Sequence, residues 1–214
     1  MTSATVDLGA ATSPELLLVR HGRSAHAQPG WIDIHGVRRW MIDYDAAEIS
    51  PDHAPPPGLE AMVAQSARIV ASDLPRAVAS AVRLAGGRAI ERTPLLREAP
   101  LETPELPFPA LGGIRLPFRG WGLVFFARFI ASAIRGAPPP GVDEGALARA
   151  EEAADWLVAQ ALEANGRITV VTHATFRLLL GRALARRGWR GPERRSYREW
   201  SAWPYVPVRE TRRQ

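Results

Sequence analysis

Three short apolar stretches, each followed directly by a helical pattern, constrain the fold more than any other feature of this sequence. They occupy residues 15–19, 68–72 and 167–172 and consist mainly of Leu, Ile and Val. Short runs of this kind predict buried β-strands, and strands that alternate with helices predict a parallel sheet. We therefore expect an α/β protein, a three-layer α/β/α sandwich with a mostly parallel central sheet.

The other elements are predicted from residue spacing and from turn residues. Apolar residues recur at helical spacing over 59–67, 75–85, 143–164 and 174–186, whereas residues 31–49 show no strong period. Leu147 is expected on the buried face of the third of these helices. A further short strand is predicted near residues 89–91. Residues 200–208 are predicted to form a closing edge strand, because Pro204 and Pro207 interrupt it.

The length of 214 residues fits one domain with elaborations. Residues 1–13 lack the basic start and the apolar middle of a signal peptide, so they predict a flexible N-terminal tail on a cytoplasmic protein. Residues 14–214 then form a single domain. Two insertions, at about 30–58 and 100–141, are expected to form a small cap over it.

Composition excludes some kinds of chemistry. The chain has no cysteine, which rules out disulfides and thiolate catalysis. Its five histidines include no helix-spaced pair that would suggest a metal site, so neither a metal nor another cofactor is expected.

Residues 121–134 form a very apolar segment that Arg128 interrupts. A membrane span needs about 20 predominantly apolar residues, so this segment is too short to be one. We favour an amphipathic cap helix. A helix on a membrane surface and an ordinary core helix are the alternatives.

Basic side chains follow all three predicted strands. Arg20 and His21 come directly after the first strand, Arg76 lies in the first turn of the helix after the second, and His173 follows the third. Because the carboxyl ends of parallel strands share one sheet edge, we expect these side chains to meet there. At Arg76 the free amides and the dipole of a helix N-terminus also favour a bound anion.

Two arginines and two histidines suit a phosphoryl group. Guanidinium groups bind phosphate oxygens in pairs, and a neutral imidazole nitrogen can attack phosphorus. Glu98 supplies a carboxylic acid that can protonate the leaving oxygen. Glu91, Glu102 and Glu105 are alternatives for this acid, and an exposed surface position is the alternative for Glu98.

Four stretches also carry a family resemblance. They are LLLVRHGRS at 16–24, ASDLPRAVASAV at 71–82, LLRE at 95–98 and ITVVTHATFRLLLGRAL at 168–184. In this order and spacing they resemble the histidine phosphatase superfamily, in its phosphoglycerate mutase-like branch. The superfamily includes cofactor-dependent phosphoglycerate mutases and many small-molecule phosphatases, and the resemblance spans nearly the whole chain.

The resemblance implies a role for each residue of the cluster. His21 matches the nucleophile that becomes phosphohistidine. Arg20 and Arg76 match the arginines that hold the phosphate, and His173 matches the second histidine, which holds phosphate oxygens and stabilises the group in transfer.

Two further positions follow from the resemblance. Glu98 matches the acid that lies after the third strand in the larger branch of the superfamily. Ser24 matches a hydroxyl that is often near the phosphate, although it would equally cap a helix.

Three positions depart from the family pattern. Arg23 stands where glutamate is common, Ala27 where an asparagine contacts the phosphate, and Ala174 where glycine is usual. Either His26 or Gln28 compensates for the missing asparagine, or the phosphate pocket is looser. These departures, with the unusual segment 31–49, argue against a true phosphoglycerate mutase.

The sequence therefore predicts a metal-independent phosphomonoesterase that acts on a small phosphorylated metabolite through a phosphohistidine intermediate. Its partner is a small phosphate ester, chosen by the two insertions, and neither nucleic acid nor a membrane span is expected. A mutase-type phosphotransferase is one alternative. The net charge of +5 and the arginine-rich C-terminal end leave a non-catalytic phospholigand- or polyanion-binding protein as the other.

Overall fold

The computed structural model describes residues 13–99, 113–134 and 144–208. Its main sheet has six strands in the order β4-β3-β6-β1-β8-β7. The strands are β1 (Glu15–Arg20), β3 (Arg68–Ser72), β4 (Glu91–Thr93), β6 (Arg167–Thr172), β7 (Trp189–Arg190) and β8 (Ala202–Pro207), and a separate ladder joins β2 (Trp31–Ile32) to β5 (Leu116–Pro117).

The first four strands in this order run parallel to one another, and β8 and β7 complete the sheet as an antiparallel pair. The helices are α1 (Ile34–Ala46), α2 (Pro57–Ala64), α3 (Pro75–Ala85), α4 (Phe118–Ile134), α5 (Glu144–Ala164) and α6 (Ala174–Arg186). The predicted α/β class and the mostly parallel sheet are confirmed.

The alternation of side chains along the central strands builds two separate cores. Leu16 and Leu18 face the layer of α5 and α6, whereas Leu17 and Val19 face the layer of α2 and α3. All four are fully buried. Because both faces of the sheet are covered, its central strands are mostly apolar on both faces, as the sequence predicts.

Local chemistry fixes the ends of the elements that carry the site. Pro75 starts α3 where a missing amide hydrogen costs nothing, and Gly86 ends it with a positive φ of 56°. Asp33 caps α1, since its side chain accepts a hydrogen bond of 2.7 Å from the Gly36 amide.

The two predicted insertions meet in a small third core. Ile34 and Val37 on α1 pack against Trp121 on α4, and all three are buried. The β2–β5 ladder ties the segments together, and the Trp121 indole donates a 2.8 Å hydrogen bond to the Ile32 carbonyl. This arrangement is consistent with the cap helix favoured for residues 121–134.

Several sequence predictions need correction. Residues 31–49 contain the thirteen-residue helix α1. β8 is not an edge strand, because the two-residue β7 pairs with Val206 and Pro207, although β7 is too short to reach Pro204. Leu147 is exposed, and Ala146 takes the buried position instead.

Two observations concern the rest of the chain. The predicted tail and much of the insertion at 100–141 lie outside the described residues. Within the described ranges, none of the helices combines the length and apolar character needed to cross a membrane.

Candidate active site

The carboxyl ends of β1 and β6 bring two histidines together. The two strands are parallel neighbours in which Arg20 pairs with Thr172, so His21 and His173 leave the sheet side by side. The His21 amide donates a 3.0 Å hydrogen bond to the Thr172 carbonyl, and the two imidazole centroids are 5.1 Å apart. Both histidines are buried.

His21 is held in one tautomer. Its Nδ1 lies 2.6 Å from the Gly22 carbonyl oxygen, which can only accept a hydrogen bond. Nδ1 therefore carries the hydrogen, and Nε2 of the neutral ring carries the free lone pair. Burial lowers the pKa of His21 to about 3, and the charges of Arg76 and Arg20 act in the same direction. The ring is consequently neutral at physiological pH.

His173 is neutral for the same reason. Burial is the main cause that lowers its pKa well below the ordinary value, and His21 and Arg76 contribute. Its Nε2 lies 2.9 Å from the Ser72 hydroxyl at the end of β3. Its buried Nδ1 has no hydrogen-bond partner among the described residues.

Arg76 lies fully buried at the start of α3. Its Nη1 donates to the Tyr44 carbonyl at 2.9 Å, and its Nη2 donates to the Asp45 carboxylate at 3.0 Å. The guanidinium also stacks on the Tyr44 ring, 4.4 Å from the ring centroid. The last turn of α1 therefore rests on this arginine.

Arg20 is the last residue of β1, directly before His21. Its Nη1 donates to the Tyr197 carbonyl, and Glu199 lies 4.0 Å away. The Nε groups of both Arg20 and Arg76 are buried without a hydrogen-bond partner in the described part of the protein. Two buried N–H donors without partners, on arginines whose charges both act on His21, are what a bound anion would satisfy.

Glu98 is anchored at the N-terminus of α6, directly after His173. Its carboxylate accepts hydrogen bonds from the amides of Phe176 at 2.8 Å and Ala99 at 3.0 Å. Burial nevertheless raises the pKa of this carboxyl above its ordinary value, since it outweighs those amides and the charge of Arg76. The competing Glu91 is exposed on β4, and Glu102 and Glu105 lie outside the described residues.

Ser24 takes a structural position in the loop after β1. Its hydroxyl accepts a 3.1 Å hydrogen bond from the His26 amide, and its backbone forms an isolated bridge with Ile49. No helix starts there, since the first helix of the described residues is the one that Asp33 caps. The expected phosphate contact of Ser24 stays a prediction.

Sequence reasoning missed four residues of this cluster. Ser72 contacts His173, Tyr44 and Asp45 contact Arg76, and the Ser80 hydroxyl accepts a 2.8 Å hydrogen bond from the Gly22 amide. Ser72 could have been found as the last residue of its predicted strand. Tyr44 and Asp45 could not, because the helix that carries them was not predicted.

Comparison with solved structures identifies the fold. A phosphoglycerate mutase from Bacillus anthracis str. Sterne aligns over 92% of this chain and 92% of its own, at 15% identity and a TM-score of 0.52. Mycobacterial hydrolase 1 aligns over 81% and 79%, at 22% identity and a TM-score of 0.52. The chain has the phosphoglycerate mutase fold. The fold implied by the sequence resemblance is thereby confirmed.

A third similar structure is a phosphoserine phosphatase from Entamoeba histolytica in complex with 3-phosphoglyceric acid. It aligns over 80% of each chain, at 18% identity and a TM-score of 0.49. No protein-family model and no curated protein matches the sequence. At sequence identities this low, structural similarity establishes the fold alone. The reaction has to be argued from the site.

Two other kinds of candidate site, a metal cluster and a larger cavity, can be compared with the histidine cluster. No group of three His, Asp or Glu side chains suited to a metal ion occurs within residues 13–99, 113–134 and 144–208. A cavity of 640 Å³ between Glu48, Asp73 and Arg83 lies beside α3 and is not lined by either histidine. The buried histidine cluster is therefore the better candidate for chemistry.

Proposed function

We propose that this protein is a metal-independent phosphomonoesterase that hydrolyses a small phosphorylated metabolite through a phosphohistidine intermediate on His21. One observation carries the proposal. His21 is a buried neutral imidazole whose Nε2 lone pair is free, and the charges of Arg20 and Arg76, each with a buried Nε–H that has no partner among the described residues, act on it. A neutral nucleophile near cations that can bind phosphate oxygens is an arrangement suited to phosphoryl transfer.

In the first step, Nε2 of His21 attacks phosphorus. The N–P bond forms as the bond from phosphorus to the ester oxygen breaks, and Glu98 gives its proton to that oxygen. Arg20 and Arg76 hold the negative oxygens of the transferring group. Nδ1 of His173, which has no other partner among the described residues, donates a further hydrogen bond to these oxygens. The raised pKa of Glu98 supports its role as the proton donor, because it extends the pH range in which the carboxyl is protonated.

In the second step, water attacks phosphorus on the opposite side from His21. The Glu98 carboxylate, now deprotonated, accepts a proton from that water. The N–P bond breaks, inorganic phosphate leaves, and His21 returns to its neutral tautomer with the hydrogen on Nδ1. The two Nη groups of Arg76 are held by Tyr44 and Asp45, so its Nε–H is the donor that remains for a phosphate oxygen.

The test is hydrolysis of p-nitrophenyl phosphate by the purified protein in the presence of EDTA. We expect turnover that EDTA leaves unchanged and that His21→Ala reduces by at least about 1,000-fold, as loss of a nucleophile does. His35→Ala is the matched control, because His35 is exposed on α1 outside the site. It should keep wild-type activity.

Other outcomes point to the two alternatives. Transfer of the phosphoryl group between two phosphoglycerates, with little release to water, would support the mutase. Binding of phosphate esters without turnover or phosphoprotein, by a protein shown to be folded, would support the non-catalytic binding role. A cytoplasmic location remains part of the proposal.

A further inference from the structure

A second cavity lies close to the histidine cluster, between α1 and α4. Its volume is 270 Å³, and its lining includes six apolar side chains, which are Val37, Trp40, Met41, Phe118, Trp121 and Phe125. Pockets for whole drug-sized ligands occupy about 300–1,000 Å³. This cavity is therefore suited to one apolar portion of a ligand.

The walls of this cavity are fixed in place. The Trp40 indole donates a 2.8 Å hydrogen bond to the Ala27 carbonyl, and its ring packs 4.4 Å from that of Phe118. Trp121 is buried and bonded to the Ile32 carbonyl. Rigid aromatic walls favour a flat apolar group, because little side-chain freedom is lost when it binds.

Two stacked aromatic side chains lie between the cavity and the site of the proposed reaction. Trp40 stacks on Tyr44 with ring centroids 4.9 Å apart and an angle of 23° between the rings. Tyr44 in turn lies edge-on to His21 at 6.5 Å and covers the Arg76 guanidinium. One aromatic ring thus separates the cavity wall from the nucleophile. A ligand whose phosphate sits at His21 would reach the cavity through a spacer that passes the rings of Tyr44 and Trp40.

The polar lining is sparse. Gln28 and the exposed Arg119 are the polar side chains among the described lining residues, and no carboxylate is among them. An entering apolar group therefore displaces water from few polar lining groups. Each methylene removed from water gains about fourfold in affinity.

We propose that this cavity binds an apolar, ring-shaped group that a short spacer joins to the phosphate of the substrate. The inference rests on the proposed function and names its substrate class: monophosphate esters of arylalkyl or similar ring-bearing alcohols. Small hydrophilic phosphates would engage the arginines and histidines alone.

The test compares 3-phenylpropyl phosphate with ethyl phosphate as competitors of p-nitrophenyl phosphate hydrolysis. Both are esters of primary alcohols, so leaving-group acidity does not separate them. We expect the inhibition constant of the phenylpropyl ester to be about 30-fold lower, the gain for burying a phenyl ring and its spacer. Equal inhibition constants would overturn the inference and leave the proposed function intact.

A cavity-filling variant locates the effect. Gly122 lines the cavity, and a Cβ added there has no heavy atom within 4 Å. Gly122→Leu should raise the inhibition constant of the phenylpropyl ester at least about tenfold and leave that of ethyl phosphate within about twofold. Gly58→Leu is the control, because Gly58 has equally open surroundings on α2. An equal effect of Gly122→Leu on both esters would contradict the proposed location.

Failure of the proposed function has a different signature. If p-nitrophenyl phosphate is not hydrolysed and no phosphoprotein forms, the proposed function fails. Titration calorimetry with the same two esters, on the wild type and on Gly122→Leu, then decides whether the cavity selects ring-bearing phosphates. A missing preference in that titration would overturn the inference as well.

Discussion

At the residue level, Gly22 packs directly against the ring of Trp200. A Cβ built on Gly22 would overlap that indole, which therefore lies against the loop that follows β1 and carries His21. The same loop is fixed by the bond from the Gly22 amide to Ser80. Glycine is therefore required here by close approach, and His21 keeps its orientation only while this packing is intact.

We expect Gly22→Ala to lower the free energy of unfolding by about 1–3 kcal/mol, the usual cost of overpacking a buried site. Activity should fall with it, because the shifted loop carries the Gly22 carbonyl that selects the His21 tautomer. Gly58→Ala is the control and should be neutral, since its added methyl meets no atom within 4 Å. Denaturant titration measures both, and a fully stable, fully active Gly22→Ala protein would contradict the packing.

The raised pKa of Glu98 predicts how the activity depends on pH. Its raised pKa means that the protonated acid persists above its ordinary range and is lost as the pH rises further. For an ester whose alkyl alcohol is a poor leaving group, kcat/KM should therefore fall as the pH becomes alkaline. Glu98→Gln should remove that pH dependence and reduce kcat/KM by about 100- to 10,000-fold.

p-Nitrophenyl phosphate provides the comparison for Glu98, because its leaving phenolate needs no proton. Formation of phosphoenzyme from this ester should be much less sensitive to Glu98→Gln than formation from the alkyl ester. Equal losses with the two esters would show that Glu98 acts by supporting α6 rather than by donating a proton.

At the level of elements, α6 packs on β8 through a glycine. Gly181 and Gly191 both lie against the Tyr205 ring, and a Cβ on Gly181 would overlap the tyrosine hydroxyl. That hydroxyl is buried without a hydrogen-bond partner among the described residues. This contact lets α6, whose N-terminal amides hold Glu98, approach β8 closely.

Gly181→Ala tests the contact, because alanine is ordinarily the better helix residue by about 1 kcal/mol. Here we expect the overlap to dominate and Gly181→Ala to destabilise the protein by about 1–3 kcal/mol. In a Tyr205→Phe background the nearest ring atom is Cζ at 3.1 Å, so the same substitution should cost much less. A double-mutant cycle by thermal unfolding measures the difference, and additive effects would contradict the contact.

Elements with continuous apolar patterns could be predicted from the sequence almost to the residue. β3, β6 and α6 have the predicted bounds, because the core contacts of each element set its apolar pattern. α1 could not be predicted. Only its narrow buried face, with Ile34 and Val37, carries a pattern, and polar residues and Gly36 interrupt it.

At the level of the whole molecule, the sheet topology explains why the histidine cluster could be predicted from the sequence. The residues of α1 that cover the cluster could not be predicted in this way. Arg20, His21, Arg76 and His173 belong to strand ends that a parallel sheet necessarily brings to one edge. Tyr44 and Asp45 reach Arg76 only through the contact of α1 with the sheet domain, a long-range packing choice that local sequence does not encode. The alternation of strand and helix therefore determined the catalytic candidates, and the insertions determined what surrounds them.

The central claim is that Nε2 of His21 takes the phosphoryl group. It is tested most directly by mixing Glu98→Gln, in which the second step should be slow, with p-nitrophenyl phosphate and quenching in alkaline denaturant, where phosphohistidine survives. We predict one phosphate per chain, mapped by mass spectrometry to His21 and by ³¹P NMR to Nε2, because Nδ1 is committed to the Gly22 carbonyl. Phosphate on another residue or on Nδ1, or turnover without any phosphoprotein, would contradict the account.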